Sequence, residues 1–449
     1  MYITRDKSFY KTFLPLMAIL TLQNLISYSV NLADNVMLGS YSQTSLSGAA
    51  TVNQIQFVLQ QLTTGIGEGL VVMASQYWGK RQTEPICRLV GLGLCTGVVI
   101  GVLLTLTVSF FPLQVMHIFT KDVAICQEGM KYLSVMRFTY LIFIITNILL
   151  STLRSVETVK VAFAVSLSTF FLNIGINYVL IFGHFGAPEM GIIGAAIGTL
   201  VARCVELLIV ILYVVFIDKK LKLRPEKMFV WTKEMVGDYF RISFPVMLTQ
   251  ALFGISVAMQ TAVLGHLTSD AIAANSAAST FFQFLKIVVV GEAAATSVII
   301  GKTVGQGKIE KVKEYAGTLQ VFYIITGILM AGILYIGKDF LLGFYTLTPE
   351  AMELARQIMN LLCFIYMGMS YQMPTATGIV RGGGDTKFVL KNDLICIWGI
   401  MYPLVFLGAF YWKLPVIVVV FLLNSDQIFK CIPVGIKVNR YHWMKKLTK

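Results

Sequence analysis

The chain has 449 residues, of which 56% are hydrophobic and only 13% charged. A soluble domain carries about 25% charged residues, so a water-covered globule of this size is excluded and a membrane-embedded one is indicated. The formal net charge of +13 does not point to nucleic acid, because the basic residues sit in short loops between apolar runs.

Apolar runs long enough to cross a bilayer recur from end to end. The predicted spans are residues 12–38, 45–76, 88–112, 131–153, 161–183 and 191–217, then 238–264, 271–300, 314–337, 354–379, 389–410 and 414–437. The first run is too long for a signal-peptide core and lacks a small-residue cleavage pattern, so it reads as a retained first helix. The second and eighth spans exceed a bilayer's thickness and are expected to tilt or protrude. Pro15 and Pro245, in the first helix of each half, are expected to allow bending. The basic stretch 218–236 near the middle reads as a linker, giving an N-terminal lobe of 1–217 and a C-terminal lobe of 237–449.

Placing the N-terminus in the cytoplasm puts 26 of the 36 Lys and Arg residues in inner segments and 5 in outer ones. Both termini are therefore expected inside, in a cell membrane. The seven cysteines are scattered, form no CxxC pair and read as small buried hydrophobes. The four histidines suggest no zinc site. No Ser–His, HExxH or paired-carboxylate arrangement indicates an enzyme.

The chain repeats itself. Gly39, Gly65 and Gly79 match Gly265, Gly291 and Gly305 at one constant offset, and the loops LRSVETVK and VRGGGDTK correspond one residue further on. Six helices per half is an even number, so both halves enter the membrane in the same orientation. The expected fold is all-α, with twelve transmembrane helices in two six-helix lobes related by a parallel pseudo-twofold around a cleft.

These landmarks carry a resemblance. LADNVMLGSYSQTSLSGAATVNQIQFVLQQLTTGIGEGLVVMASQYWGKRQ resembles the first-to-second-helix region of multidrug and toxic compound extrusion (MATE) transporters. LSTLRSVETVK and GIVRGGGDTK are similar to that family's paired loop motifs, and NIGINYVLIFG and MGIIGAAIGTLVARCVE to its fifth and sixth helices. The resemblance implies a cation-coupled antiporter, driven by H⁺ or Na⁺ and exporting amphipathic, often cationic compounds, with a small-molecule substrate, membrane lipid around it, no cofactor and a monomeric state. The seventh span carries no acid over RISFPVMLTQALFGISVAMQTAVLG, residues 241–265, while Asp34 stands in the first. That is more similar to the DinF-like prokaryotic branch, which places its cation site in the N-terminal lobe.

A carboxylate inside a span costs about 2.5–3.5 kcal/mol on insertion scales, so Asp34 is the leading candidate for cation coupling. The alternative is a carboxylate at the outer helix end, facing water or capping a loop. Asn173 and Asn177 share one helix face, and Thr199 lies at a similar depth on the next helix. This oxygen set suits a proton or Na⁺. The position of Asn177 is often Asp in the family, and the amide tilts the expectation towards H⁺. Arg203 and Glu206 continue the Thr199 stripe, either as a structural ion pair or with a transport role, and Glu68 is expected to join them. Lys286 and Glu292 are the C-terminal charge candidates. Met247, Gln250, Met259, Gln260, Met369, Gln372 and Met373 stud the seventh and tenth spans, either as an adaptable drug-binding wall or as ordinary packing. A lipid-linked precursor flippase of related fold is the alternative function. A channel, recognisable by flux without a counter-ion gradient, is a third.

Overall fold

The computed structural model describes residues 3–266, 269–345 and 347–448. Among them every regular element is helical. The first seven helices are α1 (Lys7–Tyr41), α2 (Gln43–Gly79), α3 (Thr83–Phe110), α4 (Pro112–Phe119), α5 (Val123–Met136), α6 (Thr139–Ser155) and α7 (Lys160–Phe182). Then follow α8 (Ile192–Leu212), a short α9 (Pro225–Met228), α10 (Lys233–Leu264), α11 (Ser269–Gly305), α12 (Ile309–Leu342) and α13 (Pro349–Met373). The last third is more broken: α14 (Thr386–Asp393), α15 (Tyr402–Phe406), α16 (Val416–Asn424), α17 (Asp426–Phe429) and α18 (Cys431–Asn439), with π-type turns at 374–380, 394–401 and 407–411.

Among the described residues ten helices are long and apolar enough to cross a membrane, and the bent pair α5–α6 makes an eleventh. The twelfth expected span is α13, whose first turns carry Glu350, Glu353 and Arg356 and so dilute its apolar content. The span expected at 131–153 is not one straight helix. It begins at Val123 and turns by 53° at Arg137–Phe138, where the chain leaves its axis before Thr139. Pro15 and Pro245 lie within unbroken helices. α2 and α11 are 37 residues each, about 55 Å at 1.5 Å per residue, and exceed the bilayer as expected.

Large apolar side chains stand on the outside. On α12, Ile325, Ile328, Leu329, Ile333, Ile336 and Phe340 are all exposed. They recur along the helix, the pattern of a lipid-facing surface.

The chain divides into two compact units, 22–251, and 1–21 together with 252–449. The first part of α1 thus packs with the later helices, and the first part of α10 with the earlier ones. Glycine explains both attachments. A Cβ on Gly65 of α2 would lie 2.6 Å from the Met247 Cα of α10, so the helix backbones touch there. In the other unit Gly291 of α11 abuts Thr21 of α1. The two contacts join equivalent positions, because the offset that carries Gly65 to Gly291 also carries Thr21 to Met247. The repeat seen in sequence is therefore repeated as packing.

Residues 218–236 belong to the first unit. Trp231 Nε1 donates to the Met228 carbonyl at 2.6 Å and to that of Arg88 at 3.2 Å, and Lys227 pairs with Glu84 at 3.0 Å. The N-terminal residues are tied to α12, where Asp6 accepts from Lys311 at 2.7 Å and from the Tyr315 hydroxyl at 2.9 Å.

The RGGGDTK loop has a clear physical reading. Gly384 has φ +104°, a conformation that favours glycine, and the buried Trp443 ring occupies the place of a Gly383 side chain. Lys445 N donates to the Gly383 carbonyl at 2.8 Å, fastening the C-terminal tail. Asp385 accepts from Lys437 at 2.7 Å and from Lys445 at 2.8 Å. Burial pushes the Asp385 carboxyl up, but the hydrogen bonds from the two lysines outweigh it and hold the group below the usual carboxylate range. A depressed folded value stabilises above the unfolded value, about 3.9, and that contribution is lost as pH falls through the folded value. Asp385→Asn should therefore lower the thermal midpoint at neutral pH, and the gap from wild type should close as pH falls below about 4.

Candidate functional site

Within the 22–251 unit, the hairpin of α7 and α8 builds a polar pocket against α1. Gly183 closes α7 in the left-handed conformation, with φ +70°, and Gly191 precedes α8 with φ +52°. On α8, Gly194 lets the backbone approach Leu180, where a Cβ would lie 2.6 Å from the carbonyl oxygen. One turn on, Gly198 leaves the space that the Asn177 side-chain oxygen occupies. A side chain at 198 would displace that amide.

The residues expected at the cation site are brought together. Asn177 Nδ2 donates to Asp34 Oδ1 at 2.6 Å and to Asn173 Oδ1 at 3.3 Å. Asn173 Nδ2 in turn reaches Thr199 Oγ1 at 3.5 Å. Asn173 and Asn177 are buried, while Asp34 and Thr199 are partly exposed. The Asn177 Oδ1 atom is buried with no hydrogen-bond partner among the described residues. One carboxylate, two amides and a hydroxyl therefore converge from three helices. The set offers oxygen donors to a small cation, or hydrogen-bond partners to a protonated acid.

Two further groups complete the surroundings. Arg203 pairs with Glu206 at 2.7 Å, lies over the Phe143 ring at 5.0 Å, and is within electrostatic reach of Asp34. The helical i, i+3 pairing expected for Arg203 and Glu206 is present. Tyr132 of α5 is buried with its hydroxyl facing Thr199. The sequence reading missed Tyr132, because a lone tyrosine within an apolar span gives no signal of which neighbour it faces.

Glu68 is elsewhere than expected. It pairs not with the Arg203–Glu206 stripe but with Arg154, at 2.6 Å. The glycines around Glu68 explain why: Gly67 and Gly69 pack on Ser151 and Ser243, which draws α2 against α6 and α10.

In the other unit Glu292 is fully buried, and neither carboxyl oxygen has a hydrogen-bond partner by geometry among the described residues. Thr326 faces it but donates to the Phe322 and Tyr323 carbonyls. Lys286 is partly exposed over the Phe253 ring, at 4.8 Å.

Of the residues expected either as a drug-binding wall or as ordinary packing, Met247 and Gln250 belong to the first unit and Met259, Gln260, Met369, Gln372 and Met373 to the second. Met369 is buried in the hydrophobic core, and Gln372 is buried with its Nε2 donating to Gln427 at 2.7 Å. Both are packing residues, set by which face of α13 turns inward. Met373 is partly buried against the same core, Met259 against a neighbouring cluster, and Gln260 donates to the Leu423 carbonyl at 3.2 Å.

Arg154 is partly exposed and Glu68 buried, so Arg154→Met removes one charge-assisted hydrogen bond from Glu68 and should destabilise the purified protein by about 1.5–3 kcal/mol. Arg154→Met with Glu68→Gln should cost less than the two single changes added together, as read from denaturation midpoints.

The family described as MatE matches residues 20–179 and 245–407. YisQ, an uncharacterised transporter of Bacillus subtilis, is 24% identical over 84% of this chain and 82% of its own. The Probable multidrug resistance protein NorM of Thermotoga maritima is 25% identical, over 94% of this chain and 90% of its own. Among solved structures, a eukaryotic MATE transporter superposes with a TM-score of 0.86 at 17% identity, covering 98% of this chain and 97% of that one. The Vibrio cholerae MATE transporter VcmN in its bent form gives 0.86 at 18% identity, covering 96% and 97%. These matches have the twelve-helix, two-lobe fold.

Proposed function

Since the chain belongs to the MatE family, it is a multi-pass membrane transporter and not an enzyme, and we propose that it exports amphipathic small molecules in exchange for a cation bound at Asp34. The observation that carries this reading is the Asn177–Asp34 hydrogen bond, with Asn173 and Thr199 in series behind it. Relatives described as multidrug resistance proteins support the substrate class.

The coupling follows from charge. With Asp34 ionised, its oxygen accepts from Asn177. A cation arriving from outside neutralises the carboxylate and removes the demand for that hydrogen bond. The preferred helix arrangement then changes, and the two lobes alternate between inward and outward access. The site holds one carboxylate, and position 177 supplies an amide rather than a second acid. An amide in place of a second acid deprives Na⁺ of a strong ligand, whereas a proton needs only the one carboxylate, and we assign H⁺ as the coupling ion. A membrane potential adds about 2.3 kcal/mol per charge per 100 mV to the drive. The Lys and Arg distribution supports both termini lying in the cytoplasm of a cell-membrane protein, which works as a monomer.

The test is export from proteoliposomes loaded with a panel of amphipathic dyes, cationic and anionic, under imposed H⁺ or Na⁺ gradients. Wild type should move dye under the H⁺ gradient, and Asp34→Asn should lose at least about 90% of that flux, corresponding to about 1.4 kcal/mol or more. Undiminished gradient-driven export by Asp34→Asn would remove Asp34 from the coupling mechanism. Transport of no dye under either gradient would reject the export reading.

A further inference from the structure

In the unit formed by 1–21 and 252–449, two lysines within membrane helices, Lys286 and Lys430, are treated differently. Lys430 is 5% exposed and lies between two carboxylates, Asp393 at 2.8 Å and Asp426 at 3.0 Å. Gln427 donates to the same Asp426 oxygen at 2.8 Å. This is the arrangement expected of a structural intramembrane charge.

Lys286 has no such partner. It makes no hydrogen bond or ion pair with any described residue. Its ammonium stands over the face of Phe253, and Asp426 acts on it only through space, already bonded to Lys430 and Gln427. The Lys430–Asp393–Asp426 group carries a formal charge of −1, and Lys286 returns the neighbourhood to neutrality. That lowers the cost of placing Lys286 in the membrane without using its three N–H donors. Gln283 lies one turn away at i−3, with its side chain exposed. Phe282 lies one turn away at i−4, partly buried against the hydrophobic core.

An ammonium with open donors, an aromatic face below it, an amide one turn away and an apolar side chain on the same helix face is complementary to one kind of ligand. We propose that Lys286 and Phe253 form a binding subsite for an anionic oxygen group, such as a carboxylate, borne on an apolar ring system. The inference rests on the export reading and narrows its substrate class. The compounds moved include acids and zwitterions, whereas the family resemblance pointed to amphipathic, often cationic compounds. The bound anion takes the hydrogen bonds that Lys286 leaves open, while Phe253 keeps its contact with the ammonium.

The experiment uses two probes with one body, a rhodamine bearing a free carboxylate and the same rhodamine as its ethyl ester. Binding to the purified full-length protein is read by fluorescence anisotropy, and export is read separately in proteoliposomes. Wild type should bind the acid about ten times more tightly than the ester or better, the scale of one charge-assisted hydrogen bond. Lys286→Arg should keep that preference. Lys286→Met should bind acid and ester alike, with ester affinity unchanged. Equal or stronger binding of the ester by wild type overturns the subsite, as does a preference retained by Lys286→Met. If Lys286→Met does not fold, the acid-against-ester comparison in wild type and Lys286→Arg decides. Acid-selective binding without gradient-driven export overturns the export reading and leaves the subsite standing. Export that favours the ester does the reverse.

Discussion

A carboxylate inside a membrane-spanning helix must be met by hydrogen-bond donors, by a cation or by a proton, because lipid offers it nothing. Asp34 is such a group, and much of the first unit is arranged around that requirement. Asn177 reaches Asp34 because Gly198 on the neighbouring helix has no side chain to occupy the amide's place. Gly194 brings α7 and α8 close enough for this, and the left-handed glycines at 183 and 191 set the hairpin that joins them. Glu206 and Phe143 hold Arg203, so its charge acts on Asp34 from a fixed place. The coupling we propose draws on the same acid that makes the site costly to build.

The two halves share a packing rule and differ in chemistry. Gly65 against Met247 and Gly291 against Thr21 are one contact written twice, and each ties the first helix of one half to the second helix of the other. The polar interiors have diverged around this frame. The first unit presents a carboxylate with amide and hydroxyl neighbours. The second presents a paired lysine, an unpaired one and the buried Glu292. A duplicated scaffold with unlike interiors suits a machine that handles a cation in one half and another ligand in the other.

Much of this was legible in the sequence, for identifiable reasons. Hydropathy and Lys/Arg placement marked the spans, because a bilayer fixes both helix length and loop charge. Asp34, Asn173, Asn177 and Thr199 could be grouped because depth in a membrane helix is simply counted at about 1.5 Å per residue. Rotation about the helix axis could not be counted. Where every face is apolar, the lipid side and the core side read alike. That is why Met369 and Gln372 were open to both a cleft and a packing reading and are found buried, and why Glu68 was placed with Arg203 rather than with Arg154. The 53° turn at Arg137–Phe138 escaped for a related reason: the apolar run continues through it, although the helix does not.

The central claim is that Asp34 exchanges a cation for substrate, and its most direct test is the proton count on binding. Substrate dye would be added to purified protein in weakly buffered detergent solution, with pH followed for wild type and Asp34→Asn. The account predicts proton release on dye binding by wild type and none by Asp34→Asn, with dye bound in both. Dye binding that releases no proton from wild type, or the same number from both proteins, would contradict it.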